Sequence, residues 1–168
     1  MKTLFLLRHA KSSWKDTDLA DFDRPLNERG RRAAPFMGKL LAKRDLKPAA
    51  MITSPAKRAR KTAKLFHEAA DLNVELKFDE RIYEATPGTL LEVAAGAGDA
   101  VDSIMLIGHN PGMEGTVRVL TGNLEPMPTA SVAVIDLAID QWKDIAPGCG
   151  TLRALIRPRE AMGEKTYD

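Results

Sequence analysis

Cysteine is almost absent from the chain: Cys149 is the single one among 168 residues. A lone cysteine cannot form an internal disulfide, so the fold has to hold without cross-links, and a reducing, cytoplasmic compartment is the expected setting. Cys149 sits in the turn-like stretch Pro147-Gly148-Cys149-Gly150 with no histidine beside it, which argues against a thiolate nucleophile. Aromatic residues are scarce too. The two tryptophans and two tyrosines do not interleave with the basic runs, so a nucleic-acid module is not expected. No stretch approaches the roughly 18 apolar residues of a membrane span, and the N-terminal apolar run stops at Arg8, too short for a secretory h-region. The spacings H-x-x-x-H and C-x-x-C are missing, as are paired aspartates near the histidines, so neither a metal nor another cofactor is expected. A dominant charge is lacking as well: 25 Lys and Arg against 23 Asp and Glu leave +2, which excludes a general polyanion binder. With no repeat, linker or low-complexity segment, residues 1–168 are expected to form one domain, about 160–168 being a frayed tail.

What is present is a regular alternation. Apolar runs of strand length recur at 3–7, 49–53, 74–78, 103–107, 131–137 and 151–157. Between the early ones, apolar residues fall at helical spacing over 30–43 and 56–70, and more briefly over 89–95 and 113–120. Ser54-Pro55 reads as an N-cap and first helical residue, and Asn110-Pro111 reads the same way. Strand alternating with helix predicts an α/β fold with a mostly parallel central sheet and helices on both faces, a three-layer α/β/α sandwich. The last two strands, joined by a turn at 148–150, are expected to be antiparallel or at an edge.

Ligands of open α/β sheets bind beyond the carboxyl ends of the strands. The first strand ends in Arg8 and His9. The second runs into Ser54 and a helix carrying Arg58, and the fourth ends in Gly108-His109-Asn110-Pro111. Three strand ends thus offer two arginines and two histidines to one rim. His67, beside Phe66 within a helix, has no such address and reads as structural. Arginine presents a planar, permanently charged fork that suits phosphate oxygens. Phosphoryl transfer asks mainly for positioning and charge neutralisation. A neutral imidazole can itself be the nucleophile, and nearby cations keep it neutral. His9 would then attack phosphorus while Arg8, Arg58 and His109 hold its oxygens.

Leu7-Arg8-His9-Ala10-Lys11-Ser12, the 54–63 segment Ser-Pro-Ala-Lys-Arg-Ala-Arg-Lys-Thr-Ala and Gly108-His109-Asn110-Pro111, with Asp23-Arg24-Pro25-Leu26 leading to Gly30, resemble the histidine phosphatase superfamily, the phosphoglycerate mutase-like fold. The nearest branch is that of the small SixA-like phosphohistidine phosphatases. The resemblance spans residues 1–112 and implies a phosphohistidine intermediate on His9, with a phosphate pocket of Arg8, Arg58 and His109. Its register selects Arg58 over Arg60, which composition alone leaves equal. Two departures stand out: Ala10 replaces the usual glycine, and Lys15 lies near a position where related mutases carry a phosphate-contacting asparagine. Neither Lys15 nor Ser12 is given a role.

Many relatives protonate the leaving group with a carboxylic acid, and Glu84 in Ile82-Tyr83-Glu84 matches that pattern, with Glu80 a weaker candidate. Imidazole, with a pKa of roughly 6.5, leaves with little help, whereas an alkoxide needs a proton. About forty residues separate Ala63 from the fourth strand, little material for a lid. These features favour a phosphorylated protein as the partner substrate. A small phosphomonoester, or a non-catalytic phosphate-binding module, remains the alternative.

Overall fold

The computed structural model describes residues 1–163. Six strands, β1 (Lys2–Arg8), β2 (Met51–Thr53), β3 (Leu76–Phe78), β4 (Ser103–Gly108), β5 (Val132–Leu137) and β6 (Gly150–Ile156), form one sheet in the order β3-β2-β4-β1-β5-β6. The first four strands run parallel, and β5 is antiparallel to both β1 and β6. Among the described residues five helices surround the sheet: α1 (Glu28–Lys43), α2 (Lys57–Ala69), α3 (Pro87–Ala95), α4 (Gly112–Thr121) and α5 (Pro158–Ala161). No described helix is long and apolar enough to cross a membrane.

Period-2 alternation divides the core. Leu4 and Leu6 of β1, with Ile104 and Leu106 of β4, pack beneath α3 and α4 through Leu90, Val93, Val117 and Leu120. Phe5 and Leu7, with Met105 and Ile107, meet Met37, Leu41, Ala63 and Phe66 of α1 and α2 on the opposite face. Both faces of β1 and β4 are therefore buried, as their unbroken apolar runs require. The same packing keeps α2 in place despite its first turn, Lys57-Arg58-Ala59-Arg60, which sets cations against the positive end of the helix dipole.

Several boundaries differ from expectation: β2 and β3 each start two residues later than expected, α3 starts two residues earlier, and three further helix starts move. Asn27 caps α1, its side chain accepting from Gly30 N at 2.8 Å, so the helix starts at Glu28 rather than at residue 30. Ala56 stays extended (ψ 139°), so α2 begins at Lys57, and Ser54 and Pro55 lie in the approach to it rather than at its cap. Asn110-Pro111 likewise precedes a helix beginning at Gly112. In the tail, 160–161 are not frayed: Pro158 opens α5, which closes with Met162 N donating to Pro158 O at 2.7 Å and packs against α1. Met162 and Gly163 form the turn that follows α5, Gly163 N donating to Glu160 O at 3.2 Å, and residues 164–168 of the expected tail lie outside the described residues.

Gly30 fixes the loop that follows β1. A Cβ there would stand 2.2 Å from the Lys11 carbonyl oxygen, so α1 and the 10–12 backbone can meet only at a glycine. Ala10 is fully buried in the core facing α1 and α2, which gives its methyl group a packed place where a glycine would leave space. Cys149 sits half-buried at the Lys2 end of the sheet, opposite the histidines. His67 bonds the Val74 carbonyl oxygen at 2.7 Å near the far end of α2, a structural contact.

Candidate active site

Sheet register brings the strand ends together. Arg8 pairs with Gly108, which leaves His9 level with His109, and Ser54 follows Thr53, the partner of Ile107. The two imidazoles lie with ring centroids 5.2 Å apart, both nearly buried. Arg8, His9, Arg58 and His109, named from sequence, do share one site.

The tautomer of His9 follows from its partner. Its Nδ1 lies 2.7 Å from the Ala10 carbonyl oxygen, which can only accept, so Nδ1 carries the hydrogen and the Nε2 lone pair is left available. The Ala10 peptide is held in turn: its N–H donates to Thr62 Oγ1 at 2.9 Å, and that hydroxyl donates to Arg58 O at 2.7 Å. Thus α2, which supplies Arg58, also holds the turn that orients His9. Burial, opposed by the Ala10 bond and reinforced by His109, Arg58 and Arg8, lowers the His9 pKa to about 3. Burial and then Arg58 lower that of His109 to about 4. Both rings are neutral at physiological pH.

Each arginine is fixed at one edge. Arg58 donates to the Asp21 carbonyl oxygen at 2.7 Å and to Asp21 Oδ2 at 3.0 Å. Arg8 donates to the Met127 carbonyl oxygen at 3.0 Å, and Met127 N donates to Glu114 Oε1 at 2.7 Å. Asn110 Nδ2 donates to both Glu114 and Met127 O, so the loop after β4 helps to set Arg8. Burial pulls Arg8 below the usual arginine range, with Glu114 opposing. Ser54 Oγ stands 2.8 Å from His109 Nε2.

Among the described residues, five buried side-chain polar atoms lack a partner. They are Arg8 Nε, Arg58 Nε, His109 Nδ1, Arg24 Nη1 and Ser131 Oγ. Three belong to the residues expected to bind phosphate. Buried polar groups are rarely left unpaired, and each costs about 1–3 kcal/mol unless something else satisfies it. A tetrahedral dianion in reach of all three would do so, and the positive end of α2 adds to the field.

Asp21 was not signalled by the sequence. It lies in the 13–27 loop, accepts from Arg24 Nε (3.2 Å) and Tyr83 OH (2.6 Å), and so joins three groups that line the site. The tyrosine bond, then Arg58, lowers its pKa to about 2, and the same bond raises that of Tyr83 to about 12. Tyr83 in turn meets the His109 ring edge-on, with centroids 5.5 Å apart. The only sequence hint to Asp21 was its nearness to Asp23-Arg24-Pro25. Glu114, one helical turn after Asn110, was missed for the same reason, since its partner Met127 is remote in sequence.

Glu84 stands apart from the cluster. It is exposed, one residue beyond Tyr83, in the left-handed region at φ 55°, and makes no hydrogen bond or ion pair among the described residues. Glu80 is also exposed, in a 3-10 turn. Lys15 is exposed, and its backbone N–H donates to Ser13 Oγ. Ser12 makes an isolated bridge to Leu26.

The neutral histidines set a pH signature for stability. Unfolded histidines titrate near 6.5, so between about pH 4 and 6.5 the unfolded chain holds more protons than the fold, and stability falls as pH falls. For two histidines the slope reaches about 2–3 kcal/mol per pH unit. Asp21 steepens the loss below its unfolded pKa of about 3.9. Urea midpoints measured from pH 4.5 to 7 should drop steeply in wild type and markedly less in His9→Gln/His109→Gln. Equal slopes would show that the folded histidines are not held neutral.

The model of the histidine phosphatase superfamily (branch 1) matches residues 4–95. An uncharacterized protein of Mycobacterium tuberculosis is 35% identical over 164 residues, covering 91% of this chain and all of its own length. A chloroplastic uncharacterized protein of Arabidopsis thaliana is 29% identical over 96% of this chain and 80% of its own. Among solved structures, an Agrobacterium tumefaciens protein assigned as the phosphohistidine phosphatase SixA superposes with a TM-score of 0.81 at 30% identity, covering 94% of this chain and 98% of that one. With the strand-end cluster and the phosphoglycerate mutase-like sheet, these matches place the chain: it belongs to the histidine phosphatase superfamily, and phosphatase chemistry is its activity.

Proposed function

We propose that the protein hydrolyses phosphohistidine on a phosphorylated protein through a covalent intermediate on His9. The observation that carries this reading is the set of unpartnered buried atoms on Arg8, Arg58 and His109 beside the free lone pair of His9. The lone pair of His9 Nε2 forms the new N–P bond as the bond from phosphorus to the leaving nitrogen breaks. The electron pair of that bond stays on the departing imidazole, which takes up a proton. Water then attacks the phosphoryl-enzyme, the N–P bond breaks, and its electrons return to Nε2. Charge on the phosphoryl oxygens is met by Arg8, Arg58 and His109, a set complete without a metal or other cofactor. His109, neutral in the free site, gains a reason to take a proton once the dianion arrives. Between β3 and β4 the chain forms only a 3-10 turn and α3, which leaves room for a protein surface to approach.

A small phosphomonoester is the second reading, and Glu84 is its motive. Exposed and one residue beyond Tyr83, it is a carboxyl group that a small substrate would have to bring into reach for it to protonate a poor leaving group. Glu84→Gln should lower kcat on an alkyl phosphate by about tenfold or more and leave phosphohistidine turnover unchanged. An unchanged rate on both removes Glu84 from the chemistry. A panel of phosphohistidine peptide, sugar phosphates and nucleotides tests the substrate class: a kcat/KM highest on a small monoester would overturn the protein-substrate reading.

A further inference from the structure

Helix α2 has two faces of opposite character. Arg58, Ala59, Thr62, Ala63 and Phe66 are buried against the sheet and α1. Lys57, Arg60, Lys61 and Lys64 fall at i, i+3, i+4 and i+7 on the outer face, all exposed. None of these four has an ion-pair partner among the described residues. Like charges at this spacing weaken a helix, and cations in its first turn oppose the dipole, so folding alone gives no reason for the stripe.

The stripe has an apolar floor. With Arg31 of α1, the four cations edge a hollow of about 450 Å³ based on Leu26, Leu76 and Phe78, and no carboxylate lines it among the described residues. A second hollow of about 330 Å³ shares Arg60 and Phe78 and adds Phe22 and Pro55. Two of its lining residues, Phe22 and Pro55, lie one residue removed from groups that touch His109. Pro55 follows Ser54, which bonds His109, and Phe22 packs edge-on against Tyr83, which packs edge-on against His109. Phe78 is 56% exposed and Phe22 37%, so apolar rings are held in water along this path.

We propose that this face docks an acidic, amphipathic segment of the protein substrate, its carboxylates on the α2 cations and its apolar side chains on Leu76 and Phe78. The inference rests on the phosphoprotein reading and gives it a recognition element outside the phosphate pocket. The floor of two leucines and one phenylalanine favours a peptide. Single-stranded nucleic acid is bound by successive stacked aromatic rings, and this hollow has one ring. Opposite charge would also steer the encounter, which makes association sensitive to salt.

The test uses Lys61→Glu/Lys64→Glu, whose side chains stand outside the phosphate pocket. Three substrates are compared: a phosphohistidine peptide with Glu and Leu flanks, the same peptide with Lys for Glu, and 4-nitrophenyl phosphate. In the double variant KM for the acidic peptide should rise about tenfold or more with kcat within about twofold. Turnover of 4-nitrophenyl phosphate should be unchanged, which also shows the variant is folded. The steep fall of wild-type kcat/KM with salt on the acidic peptide should flatten in the variant. An unchanged preference between the two peptides would overturn the proposal. So would a single-stranded oligonucleotide that displaces the acidic peptide at lower concentration than the peptide itself binds. The unphosphorylated acidic peptide, labelled and followed by anisotropy, separates the two readings. If wild type binds it and the variant does not, docking stands even where no phosphohistidine peptide is turned over, and only the substrate reading falls.

Discussion

His9→Ala should lose turnover of every phosphorylated substrate by about 10⁴-fold or more and should form no phosphoenzyme. The size of the loss follows from what His9 alone supplies. Arg8, Arg58 and His109 would still hold the dianion, so binding should survive, and inorganic phosphate should still compete for the site. The bond-forming lone pair is gone, however, and the alanine leaves Ala10 O without the donor it receives from Nδ1 in wild type. Wild-type enzyme mixed rapidly with substrate and quenched without acid should carry a phosphoryl group that is acid-labile and alkali-stable, as an N–P bond requires. Far-ultraviolet dichroism should match wild type, since His9 lies beyond the end of β1 and contributes no apolar core. Turnover by His9→Ala equal to that of wild type would end the proposed mechanism.

The parts of the site legible in the sequence are those that the sheet itself places. A buried parallel strand must end, and the polar residues at its end must face the rim. Arg8-His9, Arg58 and His109 were therefore readable from apolar runs broken by charge, and the family resemblance then chose Arg58 over Arg60. In the structure Arg58 is buried while Arg60 is exposed one face away on α2, the outcome of helical periodicity meeting a core on one side only. What stayed hidden depends on loops. Asp21 gains its meaning from Arg58, 37 residues away, and from Tyr83, 62 residues away, and no local pattern carries that pairing. Glu114 is hidden in the same way by its bond to Met127. Residues 160–161 read as tail because a four-residue helix that starts at Pro158 gives no periodicity to detect, yet Ala161 packs against the core beside α1.

Arg58 is the second residue whose loss should be severe. Arg58→Ala should lower kcat/KM on any phosphorylated substrate by about 10²–10³-fold. The guanidinium is buried, spends one edge on Asp21 and keeps Nε without a partner, so its position is set before substrate arrives. Such fixed charge needs no reorganisation when negative charge shifts on phosphorus, which is why its removal acts on the transition state as well as on binding. Lysine should restore little. Its ammonium is a single point of charge that cannot donate to Asp21 O, Asp21 Oδ2 and a phosphoryl oxygen along one rigid plane. Asp21→Asn should give a smaller loss, about tenfold, by loosening the edge of Arg58 that Asp21 holds. Removing Arg58 also takes away a cation that lowers the pKa of His109, so the His109 titration followed by NMR should move upward in Arg58→Ala. The His9 titration should move upward with it, since Arg58 lowers that pKa too, and folded chemical shifts kept at high pH separate this loss of charge from general disruption, which would move the resonances of both histidines to their unfolded positions. Arg60→Ala, two positions along the same helix, should leave 4-nitrophenyl phosphate turnover unchanged. If Arg60→Ala were the damaging change and Arg58→Ala the silent one, the assignment of the phosphate ligand would be reversed.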